Sequence, residues 1–203
     1  MSPLETLGFA LGTSFASGLN LYATVAAAGL FDRFGVIQLP GSLQVLTNPF
    51  IIGIALVLFV VEFVADKIPY VDSIWDAVHT FIRPPAAAII SYSAFGHVPE
   101  EWKVGAALLA GGVALTSHGA KATTRAAANT SPEPVSNWTL SFLEDSGAVF
   151  LSWMAAAHPI WTAFIVVVLV VMAVFVIWKL YGYLRVVRDR IRGVKPAGKP
   201  VGG

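Results

Sequence analysis

Between Glu62 and Arg83 the chain carries Glu62, Asp66, Lys67, Asp72, Asp76 and Arg83, with His79 as a seventh titratable group, directly after a strongly apolar run. Charge this dense beside membrane-type sequence must face water, protein or a substrate path. Asp72, Asp76 and His79 stand at i, i+4 and i+7, so one helix face would hold all three. Glu62 and Asp66 stand at i, i+4 on the preceding segment. Oxygen and imidazole donors in this pattern suit a divalent metal such as Mn or Fe. They suit a proton relay equally well, because histidine titrates near neutral pH. A third reading is the solvated polar face of an interfacial helix, with Asp72 and Asp76 paired to Lys67 and Arg83.

Two further groups carry charge inside apolar surroundings. His118, Lys121 and Arg125 follow one another at spacings of three and four, a cationic stripe on one helix face that could hold a phosphate-bearing or carboxylate ligand. Snorkelling of a helix end to lipid headgroups is the plainer account of that stripe. Glu144 and Asp145 precede Ser146-Gly147, and Asn20 ends the polar step Ser17-Gly18-Leu19-Asn20 inside a small-residue run. Asn20 needs a hydrogen-bond partner there, and Gly18 would let the helix break or admit a ligand; tight packing explains both as well.

No Ser/His/Asp order, P-loop, GxGxxG or HExxH occurs, so hydrolase and nucleotide chemistry have no positive support. With no cysteine there is no disulfide, thiolate metal site or cysteine nucleophile. No cofactor is implied. An intramembrane enzyme using Asp, His and Glu stays open as a third class.

The elements that must position these groups follow from periodicity and breakers. Pro3 to Phe31 reads as a first span, with a GxxxG at Gly8 and Gly12 that favours close helix approach and makes a homo-oligomer plausible. Pro40-Gly41 marks a turn, and Pro49 opens a second span over Phe50 to Ala65. Val71 to Ile82 has the spacing of an amphipathic helix, and Pro84-Pro85 breaks it and starts a half-membrane helix over Ala86 to Phe95. Glu100 to about Asn129 is a third long helix, ended by Ser131-Pro132-Glu133-Pro134. Then comes a short amphipathic piece, a break at Glu144 to Gly147, and a second short apolar run. Ile160 to Trp178 is the last span.

Composition fixes the class. Apolar residues make up 56% and charged residues 12% of 203, half the charge of an ordinary soluble domain, where about 25% is usual. The expected fold is an all-α integral membrane protein of about four transmembrane helices plus two short re-entrant hairpins. Residues 1–187 would form one polytopic domain and 188–203 a basic, disordered tail. Seven of the 13 Lys and Arg lie from Lys179 onward, opposed only by Asp189. That places the C-terminus in the cytoplasm. The tail suits anionic lipid headgroups rather than nucleic acid. The N-terminus lacks a basic n-region and does not read as a cleavable signal peptide.

Pro69 and Trp75 are six apart, as are Pro132 and Trp138, an offset of 63 that would make 49–96 and 100–157 repeat halves. If 71–96 and 135–157 were both re-entrant, they would dip from opposite faces, both termini would be cytoplasmic, and half-helix N-termini would meet near Pro84 and Ser146. Such ends welcome an anion.

Three runs carry a family resemblance: ASGLNLYATVAAAGL, EFVADKIPYVDSIWDAVHTFIRPPAAAI and SHGAKATTRAAANTSPEPVSNWTLSFLEDSGA. Together they resemble the domain-of-unknown-function family 4126, small bacterial integral-membrane proteins, over about Thr6 to Ala157. That implies a membrane address and no assigned chemistry. FIRPP also slightly resembles the Arg-beside-Pro re-entrant element of DedA-type lipid-carrier transporters, an analogy of architecture only. The expected function is a small transporter or channel-like protein for an anionic or phosphate-bearing solute or lipid headgroup. Arg83, Asn20, His118, Lys121 and Arg125 would bind it. Glu62, Asp66, Asp72, Asp76, His79, Glu144 and Asp145 would couple protons or ions. A non-transporting scaffold is the alternative.

Overall fold

A computed structural model describes residues 1–96, 98–130 and 134–191, and what it describes is all-helical. Of the tail expected to be disordered over 188–203, residues 188–191 continue the last helix, and the remainder lies outside the described residues. The elements are α1 (Pro3–Leu19), α2 (Leu21–Arg33), a 3-10 segment (Gly41–Thr47), α3 (Pro49–Ala65), α4 (Pro69–His79), α5 (Arg83–Ala94), α6 (Glu100–Ala128), α7 (Pro134–Ala157) and α8 (Pro159–Ile191). Of these, α8 is long and apolar enough by itself to cross a membrane, and α3 is a shorter apolar helix.

The single long helix expected over Pro3 to Phe31 breaks at Asn20, whose extended backbone (φ −150°, ψ 107°) ends α1 and starts α2. The chain turns back there. Phe9 of α1 and Ala28 of α2 share one buried cluster with Ala155. Met1, Thr6, Gln38, Pro40 and Phe95 line one cavity of about 560 Å³, so α1 starts at the end of the bundle to which α2 returns. This V, with its vertex at Asn20, folds the chain back into the bundle.

Small residues set how closely α1 lies against its neighbours. A Cβ on Gly8 would stand 2.1 Å from the Pro159 carbonyl oxygen, and one on Gly12 would stand 2.5 Å from the Thr162 methyl. The GxxxG face is therefore consumed inside the chain, and its use for self-association loses its basis. Ser117 on α6 donates to the Phe15 carbonyl at 2.8 Å.

Both hairpins expected from sequence are absent. The first segment does break, at Thr80 to Ile82, but α4 and α5 together run antiparallel along the whole of α6. Asp72 meets Asn129, Asp76 meets His118, Pro84 meets Gly111, and Tyr92 meets Glu100. The pair thus traverses the bundle. The second segment is one unbroken helix, α7, through Glu144 to Gly147. Gly147 lies in the middle of α7 and faces Leu19 of α1, where a Cβ would stand 3.5 Å from the leucine methyl, an ordinary packing distance, so it marks neither a break nor a close approach. With one segment traversing and the other continuous, the expected inversion of two hairpins does not occur.

The ends of the bundle also differ from expectation. Gly8 packs at Pro159, where α8 begins, while Thr130 lies 3.5 Å from the Tyr183 hydroxyl, near where α8 ends. Those positions are about 36 Å apart along a helix rising 1.5 Å per residue. Met1 and the basic end of α8 therefore lie at opposite ends, not at one.

Polarity is inside out. On α4, Asp72, Asp76 and His79 are buried, while Ile74 is 67% and Val78 50% exposed. On α3 the lone charged residue, Glu62, is fully buried, whereas Val57, Val60 and Val64 are exposed. The third reading of α4, a solvated polar face, is overturned by this burial.

Candidate functional site

The vertex at Asn20 is where the charges gather, and each element delivers its part by simple geometry. Glu62 and Asp66 come from the last turn and C-cap of α3. His118, Lys121 and Arg125, spaced by three and four, line the face of α6 that meets them, and all three are buried. Glu144 and Asp145 come from the middle of α7. Arg83 opens α5, fully buried, with Pro84 and Pro85 fixing the first turn behind it.

A cation at a helix N-terminus works against the helix dipole, so Arg83 needs strong compensation. It receives it twice. One Nη2–H bonds Glu62 in a very short ion pair. Nη1 donates to the carbonyls of Gly18 at 2.6 Å and Leu19 at 2.8 Å, the unsatisfied C-terminal acceptors of α1. Lys121 joins the same acceptors, 3.2 Å from the Leu19 oxygen, 2.9 Å from Glu62 and 3.3 Å from Asp66. Arg125 completes the set, 2.5 Å from Glu144, 2.8 Å from Asp66 and 3.6 Å from Asp72. The break in α1–α2 thus exposes backbone oxygens to cations, while the positive start of α2 faces Asp145. Asn20 holds that start by accepting from the Ala23 N–H at 2.9 Å and donates Nδ2–H to Asp145 at 2.8 Å.

The two histidines have fixed roles. His118 Nε2 lies 3.0 Å from the Asp76 carbonyl, which can only accept, and its Nδ1 lies 3.2 Å from Arg83 Nη1, which can only donate. The ring is therefore the neutral Nε2–H tautomer. His79 donates from Nδ1 to the Trp75 carbonyl at 2.8 Å and accepts at Nε2 from the Tyr22 hydroxyl at 3.0 Å. Both of its nitrogens are occupied, and Asp72 turns toward Arg125 and Asn129. The proposed metal set of Asp72, Asp76 and His79 shares a helix face but not a centre. Among the described residues no group of three or more His, Asp or Glu is placed to hold a metal ion.

Charge does not balance in this cluster. Three buried cations, Arg83, Lys121 and Arg125, face six buried carboxyl groups: Glu62, Asp66, Asp72, Asp76, Glu144 and Asp145. Asp76 and Asp145 have no ion pair among the described residues, and Asp76 Oδ1 and Asp145 Oδ2 are buried without a hydrogen-bond partner. Every residue singled out from the sequence is at or beside this cluster. Sequence reasoning missed its backbone half, the Gly18 and Leu19 carbonyls, and missed Tyr22 and Asn129. The polar step before Asn20 was the available signal for the carbonyls; nothing in the sequence marked Tyr22 or Asn129.

The family model for Domain of unknown function (DUF4126) matches residues 7–179. The chain belongs to that family. Comparison with curated proteins and with solved structures returns no match. In this DUF4126 member the matched region takes in every charged group of the cluster together with α1 from Leu7, α2 to α7 and most of α8.

Proposed function

We propose that this chain is a multi-pass protein of the bacterial cytoplasmic membrane that moves protons or a small cation through the buried cluster. It would act as a transporter or channel-like protein. The observation that carries the reading is the surplus of carboxyl groups over cations at a helix break. Unpaired buried carboxylates cost several kcal/mol unless they are neutralised. A proton or small cation shared among Asp76, Asp145 and their neighbours supplies the missing positive charge. The inside-out polarity of α3 and α4 and the apolar length of α8 support a lipid setting.

With the basic end of α8 in the cytoplasm, α1–α2 would enter from the outer face and the N-terminus would be external. The α4–α5 pair, α3, α6, α7 and α8 would cross. An anionic solute, expected at Arg83, fits less well. Glu62 already supplies the anion there, Lys121 and Arg125 are matched by protein carboxylates, and α7 offers no helix N-terminus at Ser146.

A scaffold is the second reading, favoured by the ion pairing of all three cations, since such networks can specify one packing. Flux separates the two. Pyranine-loaded proteoliposomes carrying the wild type should take up protons, or ²²Na⁺ in a parallel assay, when a valinomycin potential is imposed. Asp76→Asn should slow that uptake by at least about tenfold, the scale of losing one buried charge interaction, at an unchanged melting temperature. Folded wild-type protein no more permeable than empty liposomes would sink the transport reading and leave the scaffold.

A further inference from the structure

Beside the cluster, α2, α3 and α7 bound an open groove of about 710 Å³, lined by Phe31, Phe59, Phe63, Phe142, Phe150 and Trp153. It is apolar except for Asp145 and its neighbour Ser146, which are part of its wall, and Asp145 is the one ionisable group there. Asp145 is 7% exposed; Asn20 holds Oδ1 at 2.8 Å, and Oδ2 is buried with no hydrogen-bond partner. The cluster's cations are ion-paired elsewhere: Lys121 meets Glu62, Asp66 and Glu144, Arg125 meets Asp66, Asp72 and Glu144, and Arg83 meets Glu62. Lys67, at the end of the groove, shares a field with Asp145 but makes no ion pair with it among the described residues. An apolar pocket with one carboxylate that makes no ion pair selects a body that is greasy outside and positive within.

The aromatic wall accepts such charge. The Lys67 ammonium lies 2.9 Å from the centroid of the Phe63 ring and 5.3 Å from that of Trp138. Phe63 is thus a groove residue whose face already carries a cation. We infer that the α2–α3–α7 groove binds a lipophilic organic monocation, an ammonium or phosphonium with an apolar body, ion-paired to Asp145 and flanked by Phe63, Phe142 and Trp153. The volume lies in the range of about 300–1,000 Å³ usual for small-molecule sites. The inference does not depend on transport, because it concerns binding at equilibrium.

Tetraphenylphosphonium is the probe, with calorimetry on the purified full chain in dodecyl maltoside. Saturable binding with one site per chain is expected, weakened at least about tenfold in Asp145→Asn, the consequence of removing one member of a buried charge pair. Asp145→Glu, which keeps the charge, should retain binding, and tetraphenylborate, of like shape and opposite charge, should not bind. Melting curves of both variants show that loss of binding is not loss of fold. The inference is overturned if tetraphenylphosphonium fails to saturate on folded wild type. It is equally overturned if Asp145→Asn binds it as well as wild type, or if tetraphenylborate binds comparably; the groove is then a nonselective seat for apolar chains. Proton flux plays no part in this readout, so failure of the transport reading leaves it standing.

Discussion

Lys121→Met tests the charge arithmetic most directly. Its ammonium is fully buried and lies 2.9 Å from Glu62, 3.3 Å from Asp66 and 3.7 Å from Glu144. Methionine keeps the unbranched apolar stem and removes the ammonium with its hydrogen bond to the Leu19 carbonyl, leaving six carboxyl groups against Arg83 and Arg125. Removing one partner of a buried pair costs about 3–5 kcal/mol, because the other charge stays buried and uncompensated. For a chain of this size, each kcal/mol moves the melting temperature by about 2–4 °C, so a fall of about 6–20 °C is expected. The control is Lys103→Met. That ammonium is also 2.9 Å from a carboxylate, Glu100, but Glu100 is 67% exposed. An exposed pair is worth about 0–1 kcal/mol, and Lys103→Met should barely move the curve. The assay is intrinsic fluorescence melting in detergent, using the six tryptophans. Glu62→Gln combined with Lys121→Met should cost less than the sum of the two, by about 1–3 kcal/mol for neighbours in one network. A Lys121→Met shift no larger than that of Lys103→Met would refute the reasoning, as would strict additivity in the double variant.

Asn20→Ala removes both the cap of α2 and the partner of Asp145. The loss of a cap is worth about 0.5–2 kcal/mol, so the melting temperature should fall while Asn20→Ser, which can still cap, falls less. Gly8→Ala should destabilise by about 1–3 kcal/mol, the usual cost of overpacking, since its Cβ would stand 2.1 Å from the Pro159 backbone oxygen; a neutral Gly8→Ala would show that α1 and α8 are not in contact there. The chain has no cysteine, so single replacements Ser2→Cys and Gly182→Cys can be labelled with a membrane-impermeant maleimide in intact cells and in inverted vesicles. Opposite sidedness is expected, and labelling of both from one face would refute the arrangement of α1 against α8.

Much of the site could be read from the sequence because it depends on spacing along single helices. His118, Lys121 and Arg125 share a face whatever surrounds them, and so do Asp72, Asp76 and His79 on α4. Pro84-Pro85 had to start a helix, and Ile160 to Trp178 had to be an apolar one. What spacing along one helix does not contain is which face looks inward. α4 has the pattern of an interfacial helix, yet its carboxylates are buried and its Ile74 is exposed, because distant elements cover that face, with Arg125 of α6 pairing Asp72. Ser146-Gly147 looked like a break and is helix, since one glycine costs only about 1 kcal/mol inside a helix and the 24 residues of α7 carry it through. Asn20 shows both sides of the matter. Its type and setting marked a polar step inside an apolar run, but only the fold turns the chain back there, so that the freed ends of α1 meet Arg83 and Lys121.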